Sequence, residues 1–401
     1  MGEPESGAAL PPVRRVTTVL GVMQILGWGS TFYLLAVLAR PIAAETGWSH
    51  DRILAGISLA LLVAGLVSPR VGRAIDRHGG RPVLAAGAVL TALGLALIGA
   101  ATGYAGYLAG WGLIGLGMGA GLYDAAFATL GVIYGQKARG PISAVTLFGG
   151  FASTVCWPVS AWLVAEVGWR GACFAYAGAY LALALPLLVA GLPRRTRAMP
   201  HGEIPAAAAG ARLSGDERIS FVILAAVLTV AAVILSVVGT HLVTLLQARG
   251  LTLAQAVALG MIIGPASVGA RLVETIAGRH YHPLWTLAAA CLLMAAGLPL
   301  FFGAAGLFPL AIACYAAGTG IGSIARGTVP LALFGTARYA VLNGRLGLPI
   351  LVAMAIAPIG GALIYERASA DGVFAALAAL AALNLLLVML LLASKRRLKA
   401  G

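Results

Sequence analysis

Asp124 and Arg326 are the residues of this chain whose types and setting most invite chemistry. Each is a charged side chain deep in a long apolar run, 104–134 for the acid and 307–334 for the base. A charge in such surroundings is costly, so it ordinarily has a partner or a task. A carboxylate there takes up or releases a proton readily, because burial favours its neutral form and a nearby cation its charged form. An arginine offers a planar fork that fits a carboxylate or a phosphate. The two stand 202 residues apart. Three uses are open: Arg326 clamps an anion while Asp124 handles protons, the two pair until substrate or proton parts them, or a permanent pair fixes helix packing.

Weaker candidates surround them. Gln24, Trp28, Thr31 and Tyr33 crowd one apolar run, and Ser236, Thr240 and His241 occupy another. Such groups can hydrogen-bond a solute or wall it with rings. For Ser and Thr the competing use is a bond to their own helix backbone. His241, with a side chain that titrates near neutrality, suits gating as well as proton transfer. Between two further runs lies a short basic hinge, Val71 to Pro82, holding Gly72, Arg73, Asp76, Arg77, Gly79 and Arg81. A weaker copy, Arg271 and Glu274 followed by Arg279-His280, returns about 200 residues later. An acid at such a hinge suits the positive N-terminus of a neighbouring helix. The run that opens near Asn343-Gly344-Arg345 supplies a candidate, with Arg345 as a charged partner.

These groups need a scaffold, and composition names its solvent. Of 401 residues, 60% are hydrophobic and only 10% charged. A soluble domain carries about 25% charge, so lipid must be the main solvent. Twelve runs reach the roughly 20 residues that span a bilayer. They lie near 16–40, 50–69, 82–102, 104–134, 141–165, 170–192, 219–247, 252–273, 283–303, 307–334, 345–365 and 371–393, numbered spans 1 to 12. Continuous rather than alternating apolarity argues against a β-barrel. The stretch before span 1 is polar, and span 1 is too long for a signal-peptide core, so it is expected to be retained.

The net charge of +14 does not point to nucleic acid, since no soluble basic domain exists to host it. Placing the N-terminus inside puts 21 of the 27 Lys and Arg on the even-numbered connectors and the two tails. That asymmetry predicts cytoplasmic termini. Cys156, Cys173, Cys291 and Cys314 all fall in apolar runs without CxxC spacing and read as small buried hydrophobes.

The expected organisation is a cytoplasmic tail at 1–15, a six-helix bundle at 16–192, a linker at 193–218, a second bundle at 219–394 and a basic tail at 395–401. The halves repeat. Gly47-Trp48-Ser49 matches Gly250-Leu251-Thr252, Arg73-x-x-Asp76 matches Arg271-x-x-Glu274, and Tyr134-Gly135 matches Phe334-Gly335. The ladder Gly115, Gly117, Gly119, Gly121 matches Gly318, Gly320, Gly322, and Pro158 matches Pro358. The ladder is expected to allow close packing and bending, and the prolines to kink spans 5 and 11.

With these motifs in view, the whole chain resembles a major facilitator superfamily transporter. The superfamily signature between spans 2 and 3, G-x-x-x-D-R-x-G-R-[RK], stands as Gly72, Asp76, Arg77, Gly79, Gly80 and Arg81, with Gly80 replacing a basic residue. Gly168-Trp169-Arg170 followed by Phe174, and a Gly- and Pro-rich span 5, extend the likeness. The arginine that drug–proton antiporters carry in span 4 is absent. The resemblance implies two pseudo-symmetric six-helix bundles, an all-α membrane protein, and a conformational latch at the basic hinge. It also implies that spans 1, 4, 7 and 10 line a central cavity.

No GxxxxGK[ST], HExxH or clustered metal ligands appear, so the reading is neither an ATP-driven pump nor an enzyme, with no cofactor and no metal. The expected function is secondary transport of a small organic solute across the bacterial inner membrane, driven by a proton gradient or solute exchange. Arg326 tilts the solute toward an anion such as a carboxylate. The alternatives are an exporter of amphipathic or toxic compounds and a non-transporting sensor on the same scaffold. The expected partners are the substrate, protons and membrane lipid, with the chain a monomer and no nucleic acid bound.

Overall fold

The computed structural model describes residues 11–194 and 213–400, the side chains of 395–400 excepted. Most of the expected N-terminal tail and linker, and the side chains of the basic tail, lie outside the described residues. Nine helical stretches are long and apolar enough to cross a membrane among the described residues. Two are compound. Tyr104–Gly191 is divided by a connector at Gly135–Ala138 and by Gly168, and Tyr339–Ser394 is divided at Ala368 and Ser369. Divided there, the stretches agree with the twelve spans read from sequence.

The repeat shows in the backbone. Left-handed residues recur at the same joints of the two halves: Gly47 and Gly250 end spans 1 and 7, and Gly135 and Gly335 end spans 4 and 10. Gly168, at φ 70°, separates spans 5 and 6, and Ser369, at φ 59° and ψ −171°, separates spans 11 and 12. A side chain in that region strains the backbone by about 1–3 kcal/mol. Ser369→Gly is therefore expected to stabilise the protein by about 1 kcal/mol after the greater flexibility of unfolded glycine is discounted. A rise in thermal midpoint in detergent checks it, and an unchanged or lower midpoint contradicts it.

Ion pairs repeat as well, with inverted polarity. Arg170 at the start of span 6 bonds Glu45 at the end of span 1 (2.8 Å), helped by the Trp169 indole N–H (2.6 Å). Asp371 at the start of span 12 bonds Arg249 at the end of span 7 (2.7 Å). Each half thus ties its first helix to its sixth at one end of the molecule. At the other, basic end Arg15 donates to the carbonyl of Ala190, and Arg338 forks onto Glu217. Matching residues of the repeat cap the second and eighth spans: the Ser49 hydroxyl accepts from Arg52 N–H and the Thr252 hydroxyl from Gln255 N–H.

The apolar core is continuous across the seam only at the basic end. One cluster joins Leu84, Phe127 and Ile142 of the first half to Leu331, Phe334, Tyr339 and Leu346 of the second. The opposite-end residues of the second half, from Ile234 to Ala381, form a cluster of their own. Glycines make the closure possible. A Cβ on Gly72 of span 2 would lie 2.5 Å from the Ala340 carbonyl oxygen and 3.1 Å from the Gly344 Cα of span 11.

Several spans differ from the sequence expectation. Span 1 is two helices, Val13–Ser30 and Leu35–Thr46, because Ser30 and Thr31 turn their hydroxyls onto the Leu26 and Gly27 carbonyls beside a glycine-rich turn. Span 4 is broken after Gly121 into Tyr104–Gly121 and Tyr123–Tyr134. Span 5 breaks at Phe151, between helices Arg139–Gly150 and Ala152–Ala179, while the backbone stays helical through Pro158 and Pro358. The second segment of span 8, Ile263–Ala277, runs past the expected end of that span, so Arg271 and Glu274 stand on a helix packed against spans 9 and 10 rather than in a connector. Glu274 is buried, 6% exposed.

Candidate functional site

The break in span 4 positions the central acid. Gly115 and Gly119 press against span 2 and Gly117 against span 3, so alternate glycines seat the helix between two neighbours. At Leu122 the backbone becomes extended, and a new helix starts at Tyr123. Asp124 thus sits in the first turn of a helix, where unpaired N–H groups and the helix dipole favour a negative charge. The break frees the Gly121 carbonyl, and Gln24 Nε2 of span 1 donates to it (3.0 Å). Irregular backbone in a membrane needs such a partner.

Arg326 reaches Asp124 from unbroken span 10. Its Nε donates to Oδ1 (3.0 Å) and its second terminal nitrogen to Oδ2 (2.6 Å), a bidentate fork between side chains 16% and 11% exposed. Asn343 Nδ2 of span 11 donates to the Asp124 backbone carbonyl (2.9 Å). Gly347 leaves room for the carboxylate, since a Cβ there would lie 3.0 Å from Oδ2. The pair is a direct bond between the two halves, the second of the three uses open from sequence or the third.

A small cavity beside the pair is lined by Trp28, Tyr123, Asp124, Arg326 and Leu351. The Trp28 ring packs against Tyr123 (5.2 Å between centroids), which stacks on Phe127. Two buried polar atoms on this face of span 1, Gln24 Oε1 and Trp28 Nε1, have no partner in the protein. Tyr33 sits edge-on to Trp157, half-buried toward the outer end. Thr31 is spent on its own backbone, and Ser236 holds span 11 through the Met354 carbonyl (2.8 Å). His241 likewise meets the Pro358 carbonyl (2.9 Å), while Thr240 is exposed.

Arg271 lies against span 10 near this centre. Its Nε donates to Ser323 Oγ (3.0 Å) and the Gly320 carbonyl (3.2 Å) of span 10, about one turn from Arg326. Its other end lies against Gly150 of span 5, in the opposite half. Among the described residues it forms no ion pair. Sequence spacing hid this position, because Arg271 lies so near the apparent end of its run.

Most of the first-half hinge is helical: helix His50–His78 carries Gly72, Arg73, Asp76 and Arg77, and the next helix begins at Gly80. Gly72 lies at the contact of spans 2 and 11, and Gly79, at φ 79°, ends span 2. Arg73, Asp76, Arg77 and, on span 11, Arg345 are exposed at the basic end, and Arg81 is half-buried. Residues 135–140 add a tie missed from sequence: Arg139 donates across the seam to the carbonyls of Tyr281 (2.7 Å) and Gly278.

Twelve apolar helices in two look-alike halves, joined by an intramembrane fork, define a membrane transporter architecture. The pattern of the Major Facilitator Superfamily matches residues 19–339, and the chain belongs to that superfamily. Its fold is accordingly all-α, two pseudo-symmetric six-helix bundles. The human organic anion transporter MFSD10 superposes with a TM-score of 0.74 at 18% identity, covering 94% of this chain and 100% of that one. The E. coli fucose:proton symporter FucP gives 0.67 at 15% identity, covering 94% and 98%. A FucP structure in the outward conformation gives 0.70 at 15% identity over the same shares. At such identities the likeness is one of fold alone. No curated protein matches the chain in sequence.

Proposed function

We propose that the chain is a secondary active transporter moving a small organic anion, in the simplest case a carboxylate, across the bacterial inner membrane by alternating access. A proton gradient or solute exchange drives it. The basic end is cytoplasmic in this reading, which the surplus of Lys and Arg there supports. Closure of that end makes the present state the one that faces outward. The hinge from Gly72 to Arg81 acts as the latch of this closure. The observation that carries the anion assignment is Arg271, a guanidinium between the halves with no carboxylate of its own among the described residues. Arg326, by contrast, is engaged by Asp124, so the pair serves the change of state and Arg271 the solute. The unpartnered Trp28 N–H, which lines the small cavity beside Asp124 and Arg326, supplies a further donor.

A thermal-shift screen of purified protein against mono- and dicarboxylates at two pH values identifies the ligand, because binding raises apparent stability by mass action. Arg271→Gln should then weaken binding of that anion by about 10- to 150-fold, the loss of a charged hydrogen-bond pair worth about 1.5–3 kcal/mol. Arg271→Lys, which keeps charge but not the fork, should fall between. Ligand titrations of folded protein check this. Wild-type affinity in Arg271→Gln would remove Arg271 from the site, and stabilisation only by uncharged solutes would end the anion reading.

A further inference from the structure

Arg326 gives only one edge of its guanidinium to Asp124. Nε and Nη2 form the fork, and Nη1 has no hydrogen-bond partner among the described residues. Arg271 is placed alike. Its Nε is held by Ser323 and the Gly320 carbonyl, and its terminal nitrogens have no hydrogen-bond partner among the described residues. Ser323 precedes Arg326 by three residues of span 10, a rise of about 4.5 Å, so the two arginines meet that helix about one turn apart. Tyr123 joins them. Its ring lines the cavity beside Asp124 and Arg326, and its hydroxyl ends against Gly149 of span 5, next to the Gly150 that Arg271 touches.

Two free guanidinium edges one turn apart would by geometry suit a dicarboxylate, one carboxylate on each. Charge decides otherwise. Two guanidiniums and the Asp124 carboxylate leave a single positive charge. Glu274, one turn along the helix of Arg271, turns away to Thr286 of span 9 (2.6 Å) and to Tyr281. A second solute carboxylate would shed its water for a guanidinium that Asp124 already neutralises, and a buried ion recovers that loss only when it is fully paired. The loaded site would also be left negative while sealed in surroundings of low dielectric. Given that the solute is an anion, as proposed, we infer that Asp124 sets its charge: by cancelling Arg326 it makes the site take a small monoanion on Arg271 and reject a dianion of the same length. The free edge of Arg326 is left to an uncharged oxygen.

Ligand titration of full-length protein in detergent tests this, with straight-chain mono- and dicarboxylates of equal carbon number as probes, at a pH where both are fully ionised. Wild type should bind the monocarboxylate at least about tenfold more tightly. Asp124→Asn keeps an acceptor for Arg326 but frees its charge, so the preference should shift toward the dicarboxylate by about tenfold or more. Adding Arg326→Gln leaves Arg271 as the one charge again, and the double variant should return to the monocarboxylate preference of wild type. With no charge left unpaired, it serves also if Asp124→Asn does not fold. Equal binding of the two probes by wild type, a preference unmoved in Asp124→Asn, or loss of the preference in the double variant overturns the charge rule and leaves the anion reading standing. Failure of wild type to bind any carboxylate ends both.

Discussion

Asp124→Ala is expected to abolish transport and to destabilise the protein by about 3–5 kcal/mol, the loss that follows removal of one partner from a buried ion pair. The guanidinium of Arg326 would remain in a largely buried site with nothing to accept its fork. Arg326→Ala should also abolish transport but destabilise less. Asp124 keeps its place in the first turn of Tyr123–Tyr134, where helix N–H groups offset part of its charge. The double variant should unfold at a temperature above that of Asp124→Ala, because no charge is left unpaired. All three should still insert, since insertion depends on the apolar runs. Thermal unfolding in detergent and uptake of the anion into proteoliposomes measure the two effects separately. The pair serves the change of state if activity falls further than stability. Wild-type uptake by Arg326→Ala would leave the pair a packing device.

The pair was legible in sequence because lone charges in apolar runs are rare, and because their matched depth in duplicated spans places them face to face. The fold was legible for the same reason that it exists: a chain with 10% charged residues must hide its backbone polar groups in helices. What sequence did not show was where helices break. The glycine ladder pointed to bending in span 4, yet the step at Leu122 depends on Gln24 reaching the Gly121 carbonyl from another helix. Such long-range compensation leaves no local pattern. Arg271 and Glu274 were misplaced by the same kind of gap. Charges near the end of an apolar run read as connector, and only neighbours such as Ser323 and Thr286 reveal that the helix continues around them. Thr31 and Ser236 looked like solute ligands by type, but backbone carbonyls within reach claim their hydroxyls.

Gly72→Ala is expected to hold the basic end open. The added Cβ would face the Ala340 carbonyl oxygen at 2.5 Å and the Gly344 Cα at 3.1 Å. Both are backbone atoms in a helix, so neither swings aside as a side-chain tip would. Spans 2 and 11 must separate there, and on the alternating-access reading this contact belongs to the closed state. The strain, about 1–3 kcal/mol for an overpacked contact, falls on that state alone. It shifts the closed-to-open ratio by about 5- to 150-fold. Gly344→Ala should act alike, since its Cβ would meet the Ser68 carbonyl oxygen at 2.6 Å from the other side. Gly79→Ala is the discriminating control. Gly79 is left-handed at φ 79°, so a side chain there strains both states equally and should lower stability without moving the ratio. Distances between spin labels on His78 and Ala337, exposed on opposite halves, report the ratio directly. A longer distance in Gly72→Ala and Gly344→Ala but not in Gly79→Ala identifies the glycine contact as a state-selective joint. An unchanged distribution in all three would mean that the halves yield around the methyl, and that closure rests on Arg139 and the apolar cluster instead.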